Sequence, residues 1–325
     1  MWCCGRAAAS RRANLAPRSG PSPWQSKSPW AVLAVAAVVT ALLGWSQWTV
    51  RSQQPGPIGK AAMEHAAALV ALGPRPVGSE AHRKMEQYII GKLQAADASV
   101  DRDTFTAQTP VGDRSMTNIV GRMGKAGGRI IVLATHYDTK LMDGFVGAND
   151  GGSTTGLVLA LAPILAKQDF EHEIRLVFFD GEEAFKQWSD EDSLYGSRHL
   201  AAKWKTDGTA SRIGAFILLD LIGDADLDLL KDSNSTPWLR DLVWKVAARL
   251  GHSRQFLNRE TPFEDDHLPF VRAGVPAVDL IDLNYGPGNS YWHTTADTLD
   301  KISAASMQIV GDVVLESIRE LDRQR

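Results

Sequence analysis

Beyond about residue 60, apolar and polar positions alternate between short solid runs and amphipathic stretches. Four runs, Arg129–Thr135, Glu173–Phe179, Ile213–Leu219 and Pro276–Ile281, are rich in Ile, Val, Leu and Phe. Near-continuous apolar runs of that length suit strands buried on both faces. Val100–Thr106 and Thr117–Met123 also read as strands. Helical patterns fall between and around them. Ala61–Leu72 is Ala-rich and stops at Gly73-Pro74. Glu80 to about Ala95 follows Ser79 as N-cap and repeats Met85, Tyr88, Ile89 and Leu93 at helical spacing. Ser153–Leu165, Pro237–Leu250 (Pro at the first position, Gly251 as the stop) and Ser303–Arg319 complete the set. Strands alternating with helices over about 270 residues predict one α/β domain, with a central mixed, mostly parallel sheet flanked by helices.

The N-terminus follows another pattern. Residues 1–29 are rich in Arg, Ser, Ala and Pro and read as a disordered tail. Trp30–Trp48 is apolar, bracketed by tryptophans and uncharged from Ala31 to Leu43, as a membrane span with interfacial anchors would be. Arg6, Arg11, Arg12, Arg18 and Lys27 precede it, and only Arg51 and Lys60 follow closely. The positive-inside rule then expects a signal anchor at 30–48 with a cytoplasmic N-terminus. The catalytic domain would lie on the opposite side, in a periplasm or a secretory-pathway lumen. A cleaved signal peptide is the rival, weakened by the long leading region. Residues 49–59 read as a Pro/Gly linker, leaving 60–325 as the domain.

Charge and cysteine content narrow the chemistry. A net charge of -3 and a pI near 6.2 give no basic stripe, so nucleic acid is not an expected partner. The only cysteines, Cys3 and Cys4, lie in the tail. A metal in the domain must therefore be held by His and carboxylate. Candidates stand at strand ends: His136 and Asp138, Asp150 in the loop Gly144–Gly152, the pair Glu182–Glu183 after Asp180-Gly181, Asp220, and His293. Each alone has an ordinary explanation; Glu182–Glu183, for instance, would suit a solvated helix start. Strand ends of a doubly wound sheet converge on one crevice, so together they predict a site. Imidazole and carboxylate without thiolate is the donor set of a catalytic zinc site.

The series HYD (136–138), GAND (147–150), DGEEA (180–184), LDLIG (219–223) and WHT (292–294) resembles the zinc-dependent M28 peptidase family. Within it, DGEEAFKQWSDEDSLYGSRHLA (180–201), FVGAND, LLDLIGD and EDDHLPFVRAGVP (264–276) resemble the animal-type glutaminyl-peptide cyclotransferases over about residues 60–325. The resemblance implies one zinc on Asp150, Glu183 and His293. It implies Glu182 as the acid/base, Asp220 and Asp265 as catalytic carboxylates of the substrate-side network, and Trp188, Trp292 and Tyr285 as pocket walls. The implied reaction cyclises an N-terminal glutaminyl residue of a peptide or protein to pyroglutamyl and releases ammonia, with glutamyl slower. A monomer is expected. Asp279 stands where the cyclase pattern usually has His, and a cysteine pair common in animal relatives is missing.

The alternative is a zinc aminopeptidase. His136, Asp150 and Asp220 would hold a second metal, Asp150 would bridge, and Glu182 would activate water. A silent membrane-anchored binding module is the third reading. Intact His293, Glu182, Glu183 and Asp150 together argue against it.

Overall fold

The computed structural model describes residues 55–324. The tail, the expected span at 30–48 and the first part of the linker lie outside the described residues, among which no helix is long and apolar enough to cross a membrane.

Six strands form the sheet: β1 (Ser99–Ala107), β2 (Arg114–Gly124), β3 (Ile130–His136), β4 (Glu173–Phe179), β5 (Ile213–Asp220) and β8 (Ala277–Ile281). Their spatial order is β1-β2-β4-β3-β5-β8. β2 pairs antiparallel with both β1 and β4, and every other pairing is parallel. The sheet is thus mixed and mostly parallel, as expected. Its two faces are visible in the residues themselves. Ile131, Leu133, Leu176, Phe178, Ile217 and Leu219 join one core, while Ile130, Val132, Val177, Phe179, Phe216 and Leu218 join another. Neighbours along a strand point to opposite faces, so a run buried on both sides must be apolar at every position.

Helices α1 (Pro57–Val70), α2 (Glu80–Ala95), α3 (Gly152–Leu165), α5 (Pro237–Arg249) and α7 (Ala304–Asp322) contribute to the first core. The second is closed by Leu200, Ala201 and Trp204 of α4 (Tyr195–Thr206) and Phe270 of α6 (His267–Arg272).

One boundary is corrected, one ordinary alternative is removed and one small sheet was not anticipated. The linker does not run to residue 59. α1 begins at Pro57, Ile58 is buried, and Gly59 lies so close to Ala304 of α7 that a Cβ would not fit. Glu182–Glu183 opens no helix: residues 181–194 are irregular and α4 starts only at Tyr195, after Leu194 with φ 53°. Finally, β6 (Leu229–Asp232) and β7 (Phe256–Thr261) form a second, two-stranded parallel sheet. Strands of four and six residues, partly exposed, carry too few apolar positions to announce themselves.

Candidate active site

β3 ends at His136, β4 at Phe179 just before Asp180, β5 at Asp220 and β8 at Ile281. These parallel strands end on the same side of the sheet, where open α/β folds keep their ligands. A pocket of about 390 Å³ opens there. Asp150, Glu182, Asp220, Asp265 and His293 supply its polar wall; Pro262, Phe263, Ile281, Leu283, Trp188 and Trp292 supply the apolar one. Lys140 and Glu264 complete the lining.

Asp150, Glu183 and His293 each present one atom, all within 4.8 Å of one another. His293 Nε2 lies 3.3 Å from Asp150 Oδ2 and 3.2 Å from Glu183 Oε1. Both carboxylate oxygens are buried without a hydrogen-bond partner. Buried oxygens left unpaired are costly unless something else takes their lone pairs. Two carboxylates and an imidazole aimed at one point suit a divalent cation, so the donor set fits a metal. A second triad, His136, Asp150 and Asp220, meets the same geometric condition. There His136 Nε2 is 3.3 Å from both Asp150 Oδ1 and Asp220 Oδ1.

The two acid-bearing segments are held alike. Asp138 accepts from the backbone N–H groups of Glu182 (3.1 Å) and Glu183 (3.3 Å). Asp297 accepts from those of Asn149 (2.8 Å) and Asp150 (3.1 Å). Each buried aspartate therefore fixes two successive peptides and the side chains they carry. Asn149 adds a third tie, accepting from Gly223 N (2.7 Å) and donating to Leu221 O (3.2 Å) at the turn after β5. Leu221 (φ 50°) and His293 (φ 50°) both adopt left-handed backbone, which non-glycine residues keep mainly where surroundings impose it. Trp292 stacks on the His293 ring at 4.2 Å, and Phe145 meets it edge-on at 6.2 Å. Lys140 Nζ donates to Glu183 Oε2 at 3.2 Å.

Electrostatics separates the acids. Asp150 is held below the usual carboxylate range: burial opposes this, but the His136 and His293 rings, each 3.3 Å away, prevail. Glu182 is pushed well above its ordinary value by burial and by the Glu183, Asp265 and Asp266 carboxylates, against His136. Asp265 rises with burial and with Asp220 beside it. Asp266 is pushed up to about 7 by burial. Asp279 also rises strongly, through burial and Asp265.

One expected wall is not a wall. Tyr285 is fully buried and donates its hydroxyl to Asp297 Oδ1 at 2.7 Å. It stands behind the Asp150 loop, because the chain turns inward after Asn284 and Tyr285 packs with Leu221 and Ile281. The other expected residues meet at the pocket or, for Glu183, at the triad on its edge. Sequence reading gave no role to Asp138, Asp297, Lys140 or Phe263. Asp138 at least stood at a strand end; Asp297 sits in a polar loop that carries no signal of its own.

Residues 118–318 match the peptidase family M28. A glutaminyl-peptide cyclotransferase of Drosophila melanogaster is 34% identical over 263 residues, spanning 72% of this chain and 73% of the relative. The solved glutaminyl cyclase of an Acidobacteriales bacterium superposes with a TM-score of 0.79 at 46% identity, covering 84% of this chain and 97% of that one. A leucine aminopeptidase precursor from Bacteroides thetaiotaomicron superposes with a TM-score of 0.72 at 26% identity, covering 80% and 96%. The matched residues and the fold are those of the M28 class, and the chain belongs to this family. Within it, the relatives matched over most of their length put it with the glutaminyl-peptide cyclotransferases.

Proposed function

We infer that the protein converts N-terminal glutaminyl residues of peptides or proteins to pyroglutamyl, releasing ammonia, and glutamyl residues more slowly. The observation that carries the reading is the meeting of three metal-competent donors beside a buried Glu182, itself outside the triad, in a pocket with aromatic walls.

The reaction joins the α-amino nitrogen to the γ-carbonyl carbon and breaks that carbon's bond to the amide nitrogen. One proton must pass from the first nitrogen to the second. We assign that transfer to Glu182, whose burial raises its affinity for a proton. Asp220 and Asp265, both on the pocket wall, orient the amine and the tetrahedral centre. Trp188, Trp292 and the Phe263–Leu283 side keep water from competing with the internal amine. We assign the metal as one zinc per chain, on Asp150, Glu183 and His293. When bound, zinc supplies Lewis acidity toward the γ-carbonyl. No covalent enzyme intermediate is required, so the lack of a nucleophilic Ser or Cys is consistent. The reading includes a membrane anchor at 30–48, which rests on the sequence pattern, and a domain that works as a monomer.

The triad His136–Asp150–Asp220 favours a second reading, a two-metal aminopeptidase. One experiment separates them. Purified full-length protein is given a Gln-initiated and a Leu-initiated peptide, product masses are followed and bound metal is counted. Loss of ammonia from the first, no cleavage of the second and about one zinc per chain is expected. Release of free leucine with about two metals would establish the aminopeptidase instead. Full-length protein recovered in a washed soluble fraction would remove the anchor.

A further inference from the structure

Arg75 lies in the break between α1 and α2, outside the 118–318 match, and is fully buried. Burying a guanidinium is expensive unless it is well paired. Yet its hydrogen bonds involve no carboxylate. Nη1 donates to the carbonyls of Leu69 (3.4 Å), Gly73 (3.0 Å) and Val146 (2.8 Å), and Nη2 to that of Gly147 (3.0 Å). Its Nε has no partner. The nearest acids, Asp297, Asp150 and Asp138, act on it only through space. Its backbone pairs in both directions with Thr139: Arg75 N donates to Thr139 Oγ1 at 2.8 Å, and Thr139 N donates to Arg75 O at 3.2 Å.

These contacts reach both segments that hold the metal triad's backbone. Thr139 follows Asp138, which clasps Glu182 and Glu183. Val146 and Gly147 open the turn that presents Asp150. That turn has no slack: Gly147 has φ 50°, and a Cβ there would collide with the Asp150 carbonyl oxygen. Pulling two successive carbonyls toward one guanidinium fixes where the turn begins, and the planar fork does so in one orientation.

We propose that Arg75 is a positioning residue for the metal triad: by holding the Val146 and Gly147 carbonyls and the Thr139 backbone it orders the turn that presents Asp150. The proposal rests on the triad being a metal site. An Arg75 that merely pins the break between α1 and α2 would affect folding but leave zinc affinity alone.

The test measures zinc affinity by chelator competition, and the melting temperature of the metal-free protein, for the full chain and for Arg75→Met and Arg75→Lys. Arg75→Met is expected to weaken zinc about 10- to 100-fold, the usual effect of removing support behind a ligand. Arg75→Lys keeps the charge without the fork and should weaken it by about 3- to 10-fold. Parent-like affinity in both variants, with only the metal-free melting temperature lowered, overturns the proposal. If Arg75→Met does not fold, Arg75→Lys decides: weakened zinc supports the proposal and parent-like zinc overturns it. A parent chain that binds no zinc overturns the metal reading and this inference together.

Discussion

The Asp150 loop and the Glu182–Glu183 turn are built on one plan and end with opposite electrostatics. In each, a buried aspartate fixes two successive backbone N–H groups: Asp297 for Asn149 and Asp150, Asp138 for Glu182 and Glu183. The Asp150 loop is surrounded by positive charge and donors, namely Arg75, His136, His293 and the Tyr285 hydroxyl on Asp297. Asp150 is accordingly held ionised. Glu182 instead faces Glu183, Asp265 and Asp266, with only His136 opposing them, and it favours its proton. Equal precision of placement with opposite proton affinity is what a ligand and an acid/base need when they work side by side. Backbone clasps give position; the field around them gives role.

The comparison can be broken by removing function from one half only. Glu182→Gln should lower turnover by about 100- to 10,000-fold, since it removes the acid/base group. Zinc content should stay at the parent level, because Glu182 is not in the triad. Near-full activity would end the role given to Glu182, and lost zinc would show that the two halves are not separate.

A smaller effect sharpens the clasps. Asparagine offers a single acceptor oxygen, so Asp297→Asn and Asp138→Asn each release one of two N–H groups. Both should weaken zinc by about tenfold, the low end for support behind a ligand. Asp138→Asn should in addition lower turnover at saturating zinc, because it also holds Glu182. Equal turnover in the two variants would mean that Asp138 serves Glu183 alone.

The last comparison concerns a buried acid just past the end of β8. Asp282, just after β8, is pushed up to about 7 by burial and by Asp228, from an unfolded value of 3.8. A folded value above the unfolded one means stability is fully present below about pH 4 and is lost as pH rises to 7. Asp282→Asn does not titrate. Measured by urea denaturation, the parent should therefore lose roughly 2–3 kcal/mol relative to the variant between pH 5 and 8. A constant difference would show that Asp282 titrates alike in both states, so that burial alone does not raise the acids at this end of the sheet.

Much of this was legible beforehand, for definable reasons. β3, β4, β5 and β8 were readable because strands buried on both faces must be apolar throughout. Asp150, Glu183 and His293 were readable as a ligand set only through the resemblance of GAND, DGEEA and WHT to the M28 motifs. Tyr285 was misread: a tyrosine near Trp292 looks the same in sequence whether it faces a pocket or stands behind a loop. β6 and β7 escaped because four and six half-exposed residues do not fill a period.

Taken alone, the amino-acid order determined the class of sheet, the strand ends that carry acid and imidazole, and the family to which they belong. These are properties of local runs, and periodicity and spacing record them. Tertiary structure alone decided that Asp297 and Asp138 clasp the two acid segments, that Tyr285 supports instead of lining, and that Arg75 reaches the Asp150 turn from 71 and 72 residues away. Those roles depend on which backbone groups meet across the fold and on how deeply charge is buried. Neither is written at any single position of the chain.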